Sequence, residues 1–143
     1  MKEKDIQRLF GKQNKIDGVF ELKLCKGRSI RWDAVKEHQV EALKMARSES
    51  GFYYKIPDAG SVFRPTPDGK EQKSFTSRKP FDCFLLRNSP AWVVVCWYVP
   101  RKRKTLYYIS IGAFLFLRSR AIKKSFTEDD AASMSSHVLE LKG

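Results

Sequence analysis

The amino-acid sequence predicts a mixed α/β fold, a central β-sheet flanked by helices, and three observations carry that expectation. Stretches near residues 2–10 and 33–47 repeat apolar residues at helical spacing. The segment VFELKL, residues 19–24, alternates apolar and polar residues as a half-buried strand does. Three later runs, FDCFLL, AWVVVCWYV and TLYYISI, concentrate β-branched and aromatic residues. Helices and strands mixed in this order bury their apolar faces best as a sheet covered by helices. The 143 residues make a single domain, long enough to form an ordinary core without disulfide or metal staples.

The first helix sets Ile6, Leu9 and Phe10 on one face, with Glu3 on the same side. Gly11 and the polar stretch to Gly18 end it, and Asp17-Gly18 is a turn signal. In the strand that follows, Phe20, Leu22 and Leu24 take one face while Glu21 and Lys23 take the other. Its apolar residues predict a central position in the sheet. Lys26-Gly27 breaks the strand, and Asp33 is placed to cap a helix running to about Arg47. That helix has the stripe Val35, Ala42, Leu43 and Ala46, with Gln39 in its middle. Gly51 opens FYYKIP, a further strand.

Residues 59–79 mix Pro, Gly, Ser and Thr with little periodicity and carry Arg64, Lys70, Lys73, Arg78 and Lys79. Patternless stretches of this length are commonly functional or disordered, so a flexible basic loop is expected. The three later strands follow, joined by Arg87-Asn88-Ser89-Pro90 and by the basic turn Arg101, Lys102, Arg103 and Lys104. Ser125 and Glu128 have capping-box spacing and predict a final helix over 127–141.

The 28 Lys and Arg against 16 Asp and Glu give a net charge of +12. This exceeds the magnitude of about 2–8 that suits a small soluble domain and points to a polyanionic partner, most simply nucleic acid. The three cysteines, Cys25, Cys83 and Cys96, match no zinc or redox spacing and lie in apolar runs, which fits a reducing cytosol. The first residues lack the apolar core of a signal peptide, and AWVVVCWYV is too short to span a bilayer, so no membrane partner is expected. There is no G-x-S-x-G and no glycine-rich phosphate loop, so serine-hydrolase and nucleotide-binding chemistry gain no support.

Glu21 and Lys23 are the chemically informative pair. Two apart on one strand, they project from the same face. On a central strand such charges must be paired, solvated in a cleft or bound to a metal. The simpler reading is an amphipathic strand whose Glu-Lys face meets water. Gln39 in an apolar stripe and Glu3 on an apolar helix face are two more polar groups out of place.

These residues resemble the PD-(D/E)XK nuclease superfamily, in its Holliday junction resolvase branch from bacteria and phages. There an E-x-K strand precedes a helix bearing glutamine, matched here by F-E-L-K (20–23) and V-K-E-H-Q-V-E-A-L (35–43). K-G-R-S-I-R-W (26–32) resembles the basic connection of dimeric resolvases, and residues 91–111 resemble the strands that close their sheet. K-P-F-D (79–82) is the best match to the stretch leading to the metal-binding aspartate, although that aspartate normally precedes E-x-K. A relocated hairpin of FYYKIP and FDCFLL, joining the sheet as its first two strands, would account for the changed order.

The resemblance implies a restriction-endonuclease-like fold with rearranged strand order and a Mg²⁺-dependent endonuclease acting on branched DNA in recombination and repair. It implies Glu21 and Asp82 as metal ligands, with the Leu22 backbone carbonyl, and Glu3 or Asp58 as supplements. Mn²⁺ would substitute for Mg²⁺. Lys23 would orient or help deprotonate the attacking water, and Gln39 would position water or the lysine. Lys26, Arg28, Arg31, the basic loop and residues 101–104 would hold DNA, with Phe63 and Phe75 stacking on bases. A homodimer in the cytoplasm of a bacterial or phage-infected cell completes the expectation. One competing reading is a non-catalytic nucleic-acid-binding module on the same fold. Another is a single-strand binder stacking bases on Tyr53, Tyr54, Trp97 and Tyr108.

Overall fold

The computed structural model describes residues 2–55, 62–65, 71–74, 83–102 and 104–142. Strand β7 (Ala91–Trp97) runs through the middle of the main sheet, and Val93, Val94, Val95 and Cys96 are fully buried. A strand covered on both faces has no polar side to present, so its sequence reads as a continuous apolar run. On one flank β7 pairs in parallel with β1 (Val19–Cys25), with Glu21 opposite Val93 and Lys23 opposite Val95. On the other it pairs antiparallel with β8 (Lys104–Ser110), which pairs antiparallel with β10 (His137–Leu141). The result is a mixed four-stranded sheet in the order β1-β7-β8-β10.

Helix α1 (Glu3–Gln13) covers one face, packing Ile6 and Phe10 against Leu22, Val94, Cys96, Leu106 and Tyr108. It continues through Gly11, two residues into the stretch expected to end it. Its end is held: Asn14 N–H donates to the Phe10 carbonyl (2.8 Å), and the Tyr108 hydroxyl donates to Asn14 Oδ1 (2.7 Å). Helices α2 (Glu37–Arg47) and α3 (Ile111–Arg120) cover the other face, where Val40, Leu43 and Phe114 pack against Val93, Val95 and Ile109. Between β1 and α2 come β2 (Ser29–Arg31) and a tight turn at Trp32–Ala34. β2 pairs with β9 (Ser125–Thr127), which leads into the short helix α4 (Glu128–Met134).

Several expectations are corrected. Helix α2 starts at Glu37 rather than after Asp33, because the Asp33 carboxylate is held by Arg31 (2.8 and 3.0 Å) and Val35 is extended and buried. Within 59–79, β4 (Val62–Pro65) and β5 (Glu71–Ser74) form an antiparallel pair, so that stretch is not a patternless loop throughout. β3 (Phe52–Lys55) and β6 (Cys83–Leu86) do pair antiparallel, but with the β4–β5 pair between them in the chain, and among the described residues they do not enter the main sheet. The final helix stops at Met134, capped by Thr127 and Asp130 rather than by Ser125 and Glu128. Residues 137–141 instead complete the sheet, because the outer edge of β8 offers a ladder and the alternation of Leu139 and Leu141 matches it.

The strand bearing Glu21 is also repositioned. It is an edge strand among the described residues, not a central one. Charged side chains on an edge discourage pairing with another chain, so this placement suits Glu21 and Lys23 better than the expected one. Among the described residues no helix is long and apolar enough to cross a membrane.

Candidate active site

Two left-handed backbone positions shape the loops that deliver β1 and β7. Gly18 has φ +138°, and a side chain there would press on the Pro90 carbonyl and on Trp92 Nε1. That close approach lets Val19 N–H donate to Pro90 O at 2.8 Å, which starts the β1–β7 ladder. Asn88 has φ 50°, a conformation asparagine tolerates. The amides of Asn88 and Ser89 donate to Ser48 O and Ala46 O, both at 3.0 Å, tying this turn to the end of α2.

On β1 the Lys23 ammonium lies 3.3 Å from Glu21 Oε1, with the side chains 16% and 27% exposed respectively. Both sit on the face that α2 covers, the face of Val19 and Cys25. The pair is half-sheltered at the sheet edge, close enough to hold each other and open enough to meet a substrate. The ladder settles which way the backbone points. Val19 N–H donates to Pro90 O and Tyr98 N–H donates to Cys25 O, so the odd residues of β1 turn their peptide groups toward β7. Alternation then turns the Leu22 carbonyl to the outer edge, where no described strand pairs with it. A carboxylate and a free carbonyl, both hard oxygens, thus border one edge. This donor chemistry suits Mg²⁺, which takes few protein oxygens and completes its shell with water and phosphate.

Other expected members fall elsewhere. Gln39 sits in the first turn of α2, where its Oε1 accepts from Lys36 N–H at 2.9 Å. Its oxygen therefore serves the helix start, which explains an amide in an apolar stripe without invoking the site. Glu3 is exposed, and its helix lies on the sheet face opposite Glu21, so the structure does not bring those two carboxylates together. Asp82 and Asp58 lie outside the described residues. Among the described residues no three His, Cys, Asp or Glu side chains gather as a metal site.

Lys26 and Arg28 are exposed directly after β1. Arg31 is committed to Asp33, whose carboxylate raises the guanidinium pKa while its own is lowered by that hydrogen bond. Arg101 (φ 65°) and Lys102 are exposed in the β7–β8 turn, and Lys104 is half-buried at the start of β8. Arg64 lies on β4 and Lys73 on β5. Lys70, Arg78, Lys79, Arg103 and Phe75 are outside the described residues, and Phe63 opposes Lys73 in the β4–β5 register. Trp97 and Tyr108 are core residues and offer no stacking surface, whereas Tyr53 is exposed. Burial pushes the Cys25 thiol up and the Cys96 thiol up to about 11, so both behave as small apolar groups.

Sequence reasoning missed the helix after β8. IGAFLFLRSR has no amphipathic period, and its apolar residues extend the apparent strand run before it. Its Arg118 donates to Glu37 at 2.9 Å, locking α3 to the start of α2. Comparisons with protein-family models, with curated proteins and with solved structures find no match for this chain.

Proposed function

We propose that the protein is a Mg²⁺-dependent, structure-selective DNA endonuclease that hydrolyses phosphodiester bonds at branched DNA, on a PD-(D/E)XK-like fold with rearranged strand order. The observation that carries the reading is the half-sheltered Glu21–Lys23 pair beside an outward Leu22 carbonyl, on a strand that pairs in parallel with β7 beneath α2. The net charge of +12 supports a polyanionic substrate.

In this reading Glu21 and the Leu22 carbonyl hold the ion, with Asp82 supplying the second carboxylate and Asp58 the alternative. Bound there, Mg²⁺ supplies charge neutralisation at the phosphate and a more acidic water. Lys23 offsets the phosphate's negative charge and orients the attacking water from 3.3 Å beyond the Glu21 carboxylate. Lys26 and Arg28 receive phosphates at the end of β1, and Arg101 and Lys102 extend the basic surface at the same end of β7. The backbone contacts make binding fall steeply with salt.

The commitment of the Gln39 oxygen to its helix favours one second reading, a nucleic-acid-binding module without chemistry. Incubating a labelled four-way junction with protein and Mg²⁺ separates the two. Cleavage by the wild type, lost in Glu21→Gln, Lys23→Ala and Asp82→Asn, is the expected result. Full activity in Glu21→Gln overturns the proposal, and a wild type that binds junctions without cutting them establishes the module. Loss in Asp58→Asn with Asp82→Asn active reassigns the second carboxylate.

A further inference from the structure

Gly112 is the second residue of helix α3, and glycine weakens a helix relative to alanine. Its φ is not left-handed, so the backbone there does not require it. A neighbour on α2 supplies the reason. A Cβ at residue 112 would lie 2.5 Å from Arg47 Nη1, 3.6 Å from its Cζ and 3.9 Å from its Nη2. The bare backbone thus gives the Arg47 guanidinium a place to lie across the first turn of α3.

That guanidinium is uncommitted. Arg31 is held by Asp33, Arg118 by Glu37 and Lys44 by Glu41, whereas Arg47 makes no hydrogen bond or ion pair among the described residues. Beside it opens a cavity of about 400 Å³, walled by Arg47, Asn88, Ser89, Trp92 and Ser110. Among the described residues no Asp or Glu lines it. Ser110 Oγ accepts from Ala113 N–H, which leaves its own proton to give, and the Asn88 side chain carries an amide donor. The walls are held together, because the Asn88 and Ser89 amides donate to Ser48 O and Ala46 O at the end of α2. A fixed cavity with donors and no acid suits an anion.

The position of the cavity indicates which anion. Ala91 also borders it, two residues or about 7 Å before Val93, the ladder partner of Glu21. Lys26 and Arg28 follow the other end of β1. The Glu21–Lys23 pair therefore stands between two basic ends. Carboxylate and phosphate both fit a guanidinium, and this alignment with a net charge of +12 favours phosphate. We propose that the cavity binds a backbone phosphate of the nucleic-acid substrate, with Arg47 as anchor and Gly112 as the residue that seats it. This contact rests on the reading of the substrate as DNA, but not on hydrolysis.

Fluorescence anisotropy of a labelled four-way junction, titrated in EDTA between about 50 and 200 mM salt, reads the contact without Mg²⁺. Arg47→Ala is expected to bind about tenfold more weakly and to lose about one unit from the slope of log affinity against log salt. Gly112→Ala keeps every charge, yet it is expected to weaken binding as well. Its melting temperature should equal or exceed the wild type's, because only the end of a flexible side chain has to move. Lys12→Ala removes an equal charge from the α1 side of the sheet and is expected to bind as the wild type does. Wild-type affinity and slope in Arg47→Ala overturns the proposal, as does an equal loss in Lys12→Ala. Wild-type affinity in Gly112→Ala overturns the seat assigned to the glycine. Poly-glutamate bound by the wild type and not by Arg47→Ala, with DNA binding unchanged, assigns the cavity to an acidic protein and also overturns it. A wild type that binds the junction through Arg47 but never cuts it with Mg²⁺ refutes only the endonuclease.

Discussion

Strands β1 and β7 are each seven residues long, parallel and in register, yet they serve opposite ends. β7 lies between two neighbours and is covered on both faces, so every core position is apolar and Val93 to Cys96 are sealed from solvent. Among the described residues β1 has one neighbour, and its α2-side face holds a carboxylate and an ammonium in the middle of the strand. Burial on β7 stabilises the fold. The edge of β1 leaves Glu21 and Lys23 partly solvated and paired, so neither charge is buried alone. The same length of strand is sealed or partly open according to how many neighbours it has.

Substitutions on the two strands should therefore differ in kind. The largest effect is expected from Val94→Asp, which buries an unpaired carboxylate at a fully sealed position. Its cost of several kcal/mol is comparable to the whole stability of about 5–15 kcal/mol, so circular dichroism should show an unfolded chain. A folded Val94→Asp protein would break the contrast. Phe114→Ala, beneath the α2–α3 layer, should cost about 3–5 kcal/mol in urea unfolding without abolishing the fold.

A smaller effect is expected at Tyr107, whose hydroxyl donates to Glu128 Oε2 at 2.8 Å. Burial first, and that hydrogen bond second, push its pKa from 10.0 up to about 12. A raised value favours the neutral phenol in the folded state. Its contribution is thus complete below pH 10 and is lost as pH rises toward 12. Tyr107→Phe should cost about 1 kcal/mol at neutral pH and flatten the alkaline decline in melting temperature between those values. A decline as steep as the wild type's would assign it to other groups.

The smallest stability effect belongs to β1 itself. A double-mutant cycle on Glu21 and Lys23 should give a coupling of no more than about 1 kcal/mol, because a partly solvated pair gains little. A coupling several times larger would make the pair structural and remove the reason to assign it chemistry.

The α/β class and the positions of β1, α2, β7 and β8 were legible because each has the period of its element, 2 or 3.6, or the solid apolar run of a doubly covered strand. What escaped reading depended on partners far along the chain. Residues 137–141 alternate over only five positions, and their strand state follows from the open edge of β8 more than one turn-length away in sequence. The edge position of β1 was equally hidden, since local sequence does not record how many neighbours a strand has. Glu21 and Lys23 were found as a pair from spacing alone. The Gln39 role was not, because placing the helix start at Asp33 rather than Lys36 hid that Gln39 is the third residue of the helix, where its side chain meets the Lys36 amide.

That β1 holds chemistry where β7 holds stability is tested most directly by Glu21→Gln. Its melting temperature and its Mg²⁺-dependent cleavage of a four-way junction should be measured on the same preparation. The expected melting temperature lies within a few degrees of the wild type, from a coupling of at most about 1 kcal/mol. Cleavage is expected to fall by about a hundredfold or more, as for loss of one group that stabilises developing charge. Cleavage at the wild-type rate, in a protein of unchanged stability, would contradict it.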